Sequence, residues 1–317
     1  EQITIPFKSK SKIASPKGPM ERGNENDGIS LVSGMASNYI NSFMKIFLLL
    51  SALWFGSAFC VQAQNLPVHE EAWPVYASAR KGARILFMGN SYTFFNRMPA
   101  MVMAMADIRG LQADVHIHAA PAASFSSHWN DEEARKKLTG NSWDFVVLQD
   151  QSATPVIAPE RTLEFGKKLC SQVRSENGTP VLFLTWGRKG ASNIPDKGEQ
   201  QALRDTYLKL ARQEKAALAP VGIAWENCSR RHPEIKLYLE DEQHPSEQGS
   251  YLTACVMYCT LFGKSPVGLP GKLTLKGVRL CNIPQARAKT LQTIAQDTCK
   301  RLFTTPASAR KKPEGRR

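Results

Sequence analysis

Short apolar runs alternate with longer segments of helical periodicity across residues 73–303 of the chain. The apolar runs carry nearly continuous Val, Ile, Leu and Phe, a pattern typical of strands that are covered on both faces. The predicted strands are RILFM from Arg84, ADVHIHA from Ala113, DFVVLQ from Asp144, PVLFLTW from Pro180 and VGIAW from Val221. The predicted helices cover residues 98–108, 160–175, 198–217, 246–262 and 284–303. This order predicts one α/β domain, with a parallel sheet of about five strands and helices on both faces.

Small and polar residues follow each predicted strand. In order along the chain, these positions are Ser91, residues 122–124, Gln151, residues 186–188, and the pair Asp241 and His244. Ligands of open parallel sheets bind beside the loops at the carboxyl ends of the strands. We therefore expect these five loops to lie along one edge of the sheet.

Ser91 stands where the first predicted strand ends, in the sequence Gly89-Asn90-Ser91. A serine at this position can simply cap the following helix. A nucleophilic serine needs a base within hydrogen-bonding distance and a third group that orients the base. The segment LEDEQHPSEQG offers both, because the Asp241 carboxylate can fold back onto Nδ1 of His244 and leave Nε2 free for the serine. The alternative is a surface loop that ends in a helix cap.

Three motifs, taken in order, resemble those of the SGNH/GDSL hydrolases. They are Gly89-Asn90-Ser91, Gln149-Asp150-Gln151 and DEQHPSEQGSYL, and the wider motifs GNSYT, LQDQS and TWGRK are similar to a secreted bacterial branch of that superfamily. The resemblance implies a three-layer α/β/α sandwich with a flavodoxin-like parallel sheet. It also implies that Ser91 is the nucleophile, that His244 is the general base and then the general acid, and that Asp241 orients the imidazole.

The same resemblance implies an oxyanion hole made of the Ser91 backbone N–H, the Ala122 backbone N–H and the Gln151 side-chain amide. The sequence departs from the family at two of these positions and also at Asn90. Ala122 replaces the usual glycine, and its N–H can still donate if its φ is negative. Gln151 replaces asparagine and is one methylene longer. Asn90 replaces the commoner aspartate and can brace the loop without a charge.

Aromatic and polar residues in the edge loops are candidates for binding the substrate. The candidates are Asn90, His128, Trp129, Trp186 and Arg188. The two tryptophans could stack on a sugar ring beside hydrogen-bonding neighbours, or they could equally be packing anchors. Arg188 could hold an anionic group of the substrate, or it could pair with Asp150.

The overall composition is that of a globular protein, with 317 residues of which 42% are hydrophobic and 22% are charged. The formal net charge is +13, but basic residues cluster only in ARKKPEGRR at the C-terminus. Elsewhere they alternate with acids, as in EEARKKL, which is typical of solvated helix faces. This pattern argues against specific nucleic-acid binding, which needs clustered cations. Residues 304–317 are predicted to form a basic, disordered tail.

Residues 44–63, MKIFLLLSALWFGSAFCVQA, have the form of a secretory signal peptide. The apolar run is short for a bilayer span, so we predict cleavage before Gln64 and export to the periplasm or the medium, with no remaining transmembrane anchor. A lipid anchor at Cys60 is disfavoured because Phe59 precedes it. Residues 1–43 are predicted to be disordered and point to a start site assigned upstream of Met44.

Six cysteines follow the predicted signal peptide: Cys170, Cys228, Cys255, Cys259, Cys281 and Cys299. Export would permit disulfides, and the sequence leaves their pairing open. Cys281 and Cys299 are close enough in sequence to staple the last helix, whereas Cys255 and Cys259 are expected to be small buried residues on one helix face. No cysteine or histidine spacing is typical of a zinc site, so we predict no metal.

Together these features predict an exported serine esterase that removes a small acyl group, most simply acetyl, from a carbohydrate. The reaction needs no cofactor, and the partner is a small-molecule or polysaccharide ester. A non-catalytic carbohydrate-binding protein on a degraded hydrolase scaffold is the alternative from another class. Thioesterase, lipase-type and peptide hydrolysis with the same residues are further alternatives.

Overall fold

A computed structural model describes residues 82–189 and 198–303. The predicted disordered segment 1–43, the predicted signal peptide 44–63 with Cys60, and the predicted tail 304–317 lie outside the described residues. Residues 82–189 contain β1 Arg84–Gly89, α1 Ser91–Phe94, a 3₁₀ turn Phe95–Arg97, α2 Met98–Ile108, β2 Asp114–Ala119, α3 Phe125–Asn130, α4 Glu132–Thr139, β3 Phe145–Leu148, α5 Thr154–Ile157, α6 Pro159–Ser175 and β4 Thr179–Phe183. Residues 198–303 contain α7 Gly198–Glu214, β5 Ala217–Ala219, α8 Val221–Arg231, α9 Glu247–Phe262, β6 Lys272–Leu275, β7 Val278–Asn282 and α10 Gln285–Phe303.

The first five strands form one parallel sheet in the order β2-β1-β3-β4-β5. The order reverses between β1 and β3, since β2 lies on one side of β1 and all later strands lie on the other. A crevice forms at the carboxyl ends of the strands at such a switch point. The turns that carry Ser91 and Gln151 follow β1 and β3, the two strands that flank this crevice.

Successive side chains of each strand enter opposite layers of the protein, as the period of two requires. Ile85 and Phe87 pack with residues of α2, α8, α9 and α10 on one face of the sheet. Leu86 and Met88 pack with residues of α3, α4, α6 and α7 on the other face. Strands β1, β3, β4 and β5 therefore bury residues at nearly every position, which explains their continuous hydrophobic runs. The edge strand β2 differs, because each of its residues is only partly buried or exposed. The predicted α/β/α sandwich with a five-stranded parallel sheet is confirmed.

The predicted fifth strand is wrong. Residues 221–225 begin the helix α8, and the strand is the short segment Ala217–Ala219 just before it. Helix α7 ends at Glu214, and Lys215 has a left-handed φ of 47° that turns the chain into β5. Pro220 then precedes the first turn of α8, a position where its fixed φ favours a helix. Val221 and Trp225 are buried because α8 packs beneath α9 rather than within the sheet.

A two-stranded antiparallel hairpin, β6–β7, lies outside the main sheet and was not predicted. Its two turn residues, Lys276 and Gly277, both have positive φ, which is the geometry of a tight hairpin turn. The hairpin packs against α2, on the face of the sheet that carries α9 and α10.

The six cysteines after the predicted signal peptide are all buried free thiols in this structure, including Cys281 and Cys299. Within residues 82–189 and 198–303, no helix is long and apolar enough to cross a membrane.

Candidate active site

The turn between β1 and α1 places Ser91 at the carboxyl edge of the sheet. Asn90 caps α1, because its Oδ1 accepts a hydrogen bond from the Tyr92 N–H at 3.1 Å. Gly89 is required where the strand ends, since a Cβ there would lie 2.3 Å from Thr93 Oγ1 and 2.6 Å from Gln149 Oε1. The backbone at position 89 therefore lies too close to the side chains of Thr93 and Gln149 to leave room for a Cβ.

Three loops meet at a buried polar junction formed by Asn90, Gln149 and Asp150. The Asn90 side chain is 2% exposed, and its Nδ2 donates to the carbonyls of Ala123 at 2.9 Å and Asp150 at 3.3 Å. The Asn90 backbone N–H donates to Gln149 Oε1 at 2.9 Å. The loops after β1, β2 and β3 are thus held together by one asparagine, which braces them without a charge and has no free donor for a substrate.

The Asp150 side chain bonds the junction to the backbone of two of its loops and to α6. Its Oδ1 accepts from the Phe125 and Gln151 N–H groups at 2.8 Å each, and its Oδ2 accepts from Thr162 Oγ1 at 2.6 Å. Burial raises the pKa of this carboxyl, although these hydrogen bonds favour the ionised form. Asp150 does not pair with Arg188, so that interpretation of Arg188 is wrong.

The histidine loop, residues 236–246, is folded by a local turn. Asp241 Oδ1 accepts hydrogen bonds from the Gln243 N–H at 3.1 Å and the His244 N–H at 2.9 Å. The base of the loop is closed by a bridge between Tyr238 and Pro245. An aspartate that binds backbone N–H groups two and three residues ahead is a common turn former, and here the turn carries the carboxylate to the imidazole.

The structure brings Ser91, His244 and Asp241 into one hydrogen-bonded chain. His244 Nδ1 lies 2.5 Å from Asp241 Oδ2, and His244 Nε2 lies 2.9 Å from Ser91 Oγ. Because the carboxylate requires a proton on Nδ1, Nε2 is the acceptor that faces the serine hydroxyl. Partial burial opposes ionisation of Asp241, but the hydrogen bonds from the His244 ring and from two backbone N–H groups outweigh it and lower its pKa. This arrangement can move a proton from Ser91 to His244.

Aromatic rings surround the imidazole. The Phe95 ring stacks on it with centroids 4.4 Å apart and planes 15° apart, and the Tyr92 ring meets its edge at 5.8 Å. Tyr92 in turn stacks on Trp186, and burial raises the pKa of Tyr92 to about 12. Neither Phe95 nor Tyr92 was predicted to be near the site, although the segment SYTFF, which begins at Ser91, carries both.

Two of the three predicted oxyanion donors are backbone N–H groups. Within the described part of the chain, neither the Ser91 N–H nor the Ala122 N–H donates to a protein acceptor. The condition of a negative φ at Ala122 is not met, because its φ is 57°. Ala122 therefore adopts the left-handed backbone that normally favours glycine, and its Cβ is strained there.

The third predicted donor, the Gln151 side chain, braces its own loop. Its Oε1 accepts from the N–H groups of Ala153 at 2.7 Å and Thr154 at 3.0 Å, at the start of α5. These two donors identify the oxygen of the amide. The amide nitrogen has one long contact, 3.4 Å to Ser152 Oγ, and so keeps N–H capacity for another acceptor.

The structure contradicts the predicted sugar-stacking role of Trp186. Its side chain is 1% exposed and lies between Tyr92 and Trp225, 3.9 Å from the latter ring. Its Nε1–H donates to the Gln243 carbonyl at 2.9 Å, so the indole supports the histidine loop from beneath. Trp186 is a packing anchor with no free face for a ligand.

His128 is likewise buried, and the prediction that it contacts substrate is wrong. Its Nε2 lies 3.1 Å from the Gly89 carbonyl, which requires the proton on that nitrogen. Burial lowers the pKa of His128 to about 4, so the ring is a neutral donor that holds the end of β1.

Trp129 and Arg188 face other partners. Trp129 packs against the helical layer on its side of the sheet and lines a groove on α6 with Glu164, Lys168 and their neighbours. Arg188 is paired with the buried carboxylate of Glu199, which accepts from its backbone N–H at 2.6 Å and its Nε at 2.8 Å. Neither residue makes a described contact with Ser91 or His244.

Among the described residues, no group of three or more His, Cys, Asp or Glu side chains is arranged to hold a metal ion.

The fold and the site define a class of protein: a three-layer α/β/α sandwich with a Ser–His–Asp chain at the carboxyl edge of its parallel sheet. No protein-family model matches the sequence, and no curated protein matches it. Among solved structures, a protein from Slackia heliotrinireducens described as an SGNH hydrolase is 28% identical, with a TM-score of 0.50 over 56% of this chain and 98% of that chain. A DUF4886 family protein from Bacteroides uniformis is 16% identical, with a TM-score of 0.54 over 70% of this chain and 96% of that chain, and shows the same fold. These findings support membership of the SGNH hydrolase superfamily.

The raised pKa of Asp150 makes a testable contribution to stability. The native state holds this proton to a higher pH than the unfolded chain does, so the contribution is full below about pH 4 and is lost as the pH rises through the raised pKa. Asp150→Asn keeps the Oδ1 acceptor and does not titrate. We expect the free energy of unfolding of the wild type, relative to Asp150→Asn, to fall from about pH 4 upwards, through the range in which the native carboxyl ionises. Urea denaturation of both proteins across this range measures it.

Asp150→Ala serves as the comparison, because it removes the acceptor of three buried donors. It should lose about 1–3 kcal/mol of stability at every pH. Parallel stability profiles for the wild type and Asp150→Asn would contradict the assignment of a raised pKa.

Proposed function

We propose that this chain is an exported serine esterase that hydrolyses small acyl esters, most simply acetyl esters of a carbohydrate. The protein is a carboxylic ester hydrolase by class. The proposal adds the residues that act, the kind of ester and the location. The observation that carries it is the hydrogen-bonded chain from Asp241 through His244 to Ser91.

In the proposed reaction, Ser91 Oγ attacks the ester carbonyl carbon while its proton passes to His244 Nε2. In this proposal the carbonyl oxygen becomes an oxyanion, which accepts hydrogen bonds from the Ser91 and Ala122 N–H groups and from the Gln151 amide. The C–O bond to the alcohol then breaks, and the alcohol leaves with the proton from His244. Water, deprotonated by His244, attacks the acyl-enzyme and releases the acid, which regenerates Ser91.

The exposure of the site supports a bulky alcohol as the leaving group. The Asp241 side chain is 40% exposed and that of His244 is 24% exposed, so the reacting atoms lie at the rim of the protein rather than in a closed cavity. A polymer chain can approach a serine in such a position. The tryptophans predicted to stack on sugar do not support a carbohydrate substrate, because Trp186 is buried and Trp129, a residue of α3, lines a groove beside α6. The proposal of a carbohydrate therefore rests on the accessibility of the site.

The first test is covalent labelling with a fluorophosphonate probe together with hydrolysis of p-nitrophenyl acetate. We expect the wild type to label and Ser91→Ala to lose both the label and roughly 10⁴- to 10⁶-fold of kcat. His244→Ala should lose a similar factor, and Asp241→Asn about 10³- to 10⁴-fold, because the imidazole loses its orienting carboxylate. A wild-type protein that neither labels nor hydrolyses the ester would favour the non-catalytic binding protein.

A second test concerns the acyl group and the alcohol. Acetate release from a panel of acetylated plant and bacterial polysaccharides should exceed that of the Ser91→Ala control. Rates on p-nitrophenyl esters should fall as the acyl chain lengthens from acetyl to octanoyl. Faster turnover of long acyl esters, acyl thioesters or peptide amides would replace the acetyl esterase with one of the alternative hydrolases.

Export is tested on the full-length gene expressed in a bacterium. We expect the mature protein to be recovered from the periplasm or the medium, with an N-terminus near Gln64 by intact mass. Esterase activity that stays in the cytoplasm on a chain that retains residues 44–63 would contradict this part of the proposal.

A further inference from the structure

The contact with Asp241 is not sufficient to hold the His244 ring in place. Both side chains reach solvent, and the ion pair that forms when the imidazole is protonated is therefore screened by water. A ring that must stay within 2.9 Å of Ser91 Oγ through several proton transfers needs further contacts that water does not weaken.

Phe95 supplies such a contact to the ring. Its phenyl face lies nearly parallel to the imidazole, with 4.4 Å between the centroids. The face of an aromatic ring carries negative potential, so it attracts a cation placed over it. The contact therefore strengthens when His244 takes the proton of Ser91 in the proposed reaction and becomes an imidazolium.

Asn96 supplies a contact to the backbone of the histidine loop. Its Nδ2 donates to the carbonyl of Pro245, the residue after His244, at 2.9 Å, and to Ser250 Oγ at 2.9 Å. Both hydrogens of this nitrogen are used, one on the loop and one on α9. The segment directly after the serine helix is thus bonded to the chain on the far side of the histidine.

The backbone of this segment is strained. Asn96 and Arg97 are consecutive residues with φ of 51° and 55°, in the left-handed region that non-glycine residues rarely occupy. Arg97 makes no capping hydrogen bond with its side chain. Asparagine tolerates this conformation better than most residues, and strain of this kind persists only where surrounding contacts determine the backbone.

We propose that Phe95 and Asn96 are positioning residues, which hold the ring and the backbone of His244 from the serine side of the cleft. This rests on the proposed function of Ser91 and His244. Because Phe95 and Asn96 follow α1 directly, the helix that carries the serine also sets the distance and the plane of its base.

The test uses four variants of the full chain and one control. Phe95→Leu removes the aromatic face, and Phe95→Tyr keeps it. Asn96→Asp replaces the donor by an acceptor of the same size, and Asn96→Gly removes both hydrogen bonds in a residue at ease with positive φ. Arg97→Gly is the matched control, because it relieves the neighbouring strained residue without removing a bond. Kinetic constants on p-nitrophenyl acetate, the rate of fluorophosphonate labelling and the thermal midpoint are measured for each.

We expect Phe95→Leu, Asn96→Asp and Asn96→Gly to lower kcat and the labelling rate by roughly 10- to 100-fold, with KM changed by less than about threefold. Phe95→Tyr and Arg97→Gly should stay within about threefold of wild type in both constants. A structural role alone would lower the thermal midpoint and the active fraction without slowing the labelled fraction.

Two results separate this proposal from the proposed function. Wild-type kcat and labelling in Phe95→Leu and in both Asn96 variants, with Ser91→Ala inactive, would overturn the positioning role and leave the esterase standing. A wild type that neither labels nor hydrolyses esters would overturn the proposed function and the positioning role with it. If Asn96→Asp does not fold, Asn96→Gly and Phe95→Leu decide the matter.

Discussion

The position of the serine depends on the buried polar junction of Asn90, Gln149 and Asp150. Three loops that leave neighbouring strands meet there, and their polar atoms are shielded from water. An unsatisfied buried donor or acceptor costs about 1–3 kcal/mol, so any other arrangement of these loops is penalised at several atoms at once. The junction therefore selects one conformation of the turn before Ser91, and the hydroxyl is oriented before a ligand binds.

The histidine loop is held in place by other contacts than the turn that carries the serine. Ser91 follows a strand of the sheet, whereas His244 sits on a surface loop whose hydrogen bonds are mostly local. Beneath that loop, Trp186 stacks between Tyr92 and Trp225 and bonds the Gln243 carbonyl. Contacts between large buried rings are not screened by salt or water, whereas an exposed ion pair is. The site thus combines a partly exposed loop with a layer of aromatic rings beneath it that limits its movement.

Apolar periodicity predicted the long helices and the strands β1, β3 and β4, because the buried strands of a parallel sheet covered on both faces need continuous hydrophobic runs. It also predicted the edge strand β2, although that strand is only partly buried. It failed at β5, where the segment Ala217–Ala219 is too short and too small to stand out from the helix before it. The contact between Ser91 and His244 was predicted from the motifs that resemble the SGNH/GDSL hydrolases. The rule that parallel strands end at one edge does not account for His244, because the histidine loop follows α8 and not a strand. It could not predict that Trp186 is buried, because its two stacking partners lie 94 and 39 positions away in sequence, at Tyr92 and Trp225.

The strained backbone at Ala122 is best understood through the same junction. Left-handed φ at an alanine costs about 1–2 kcal/mol, and an unconstrained loop would relax. The residues that follow cannot move, since the Ala123 carbonyl accepts from Asn90 and the Phe125 N–H donates to Asp150. The atoms that orient the serine thereby also fix the backbone at Ala122, whose N–H has no acceptor within the described chain. The strain is consistent with a loop held for the direction of that N–H, because a simple connection between β2 and α3 would gain stability by releasing it.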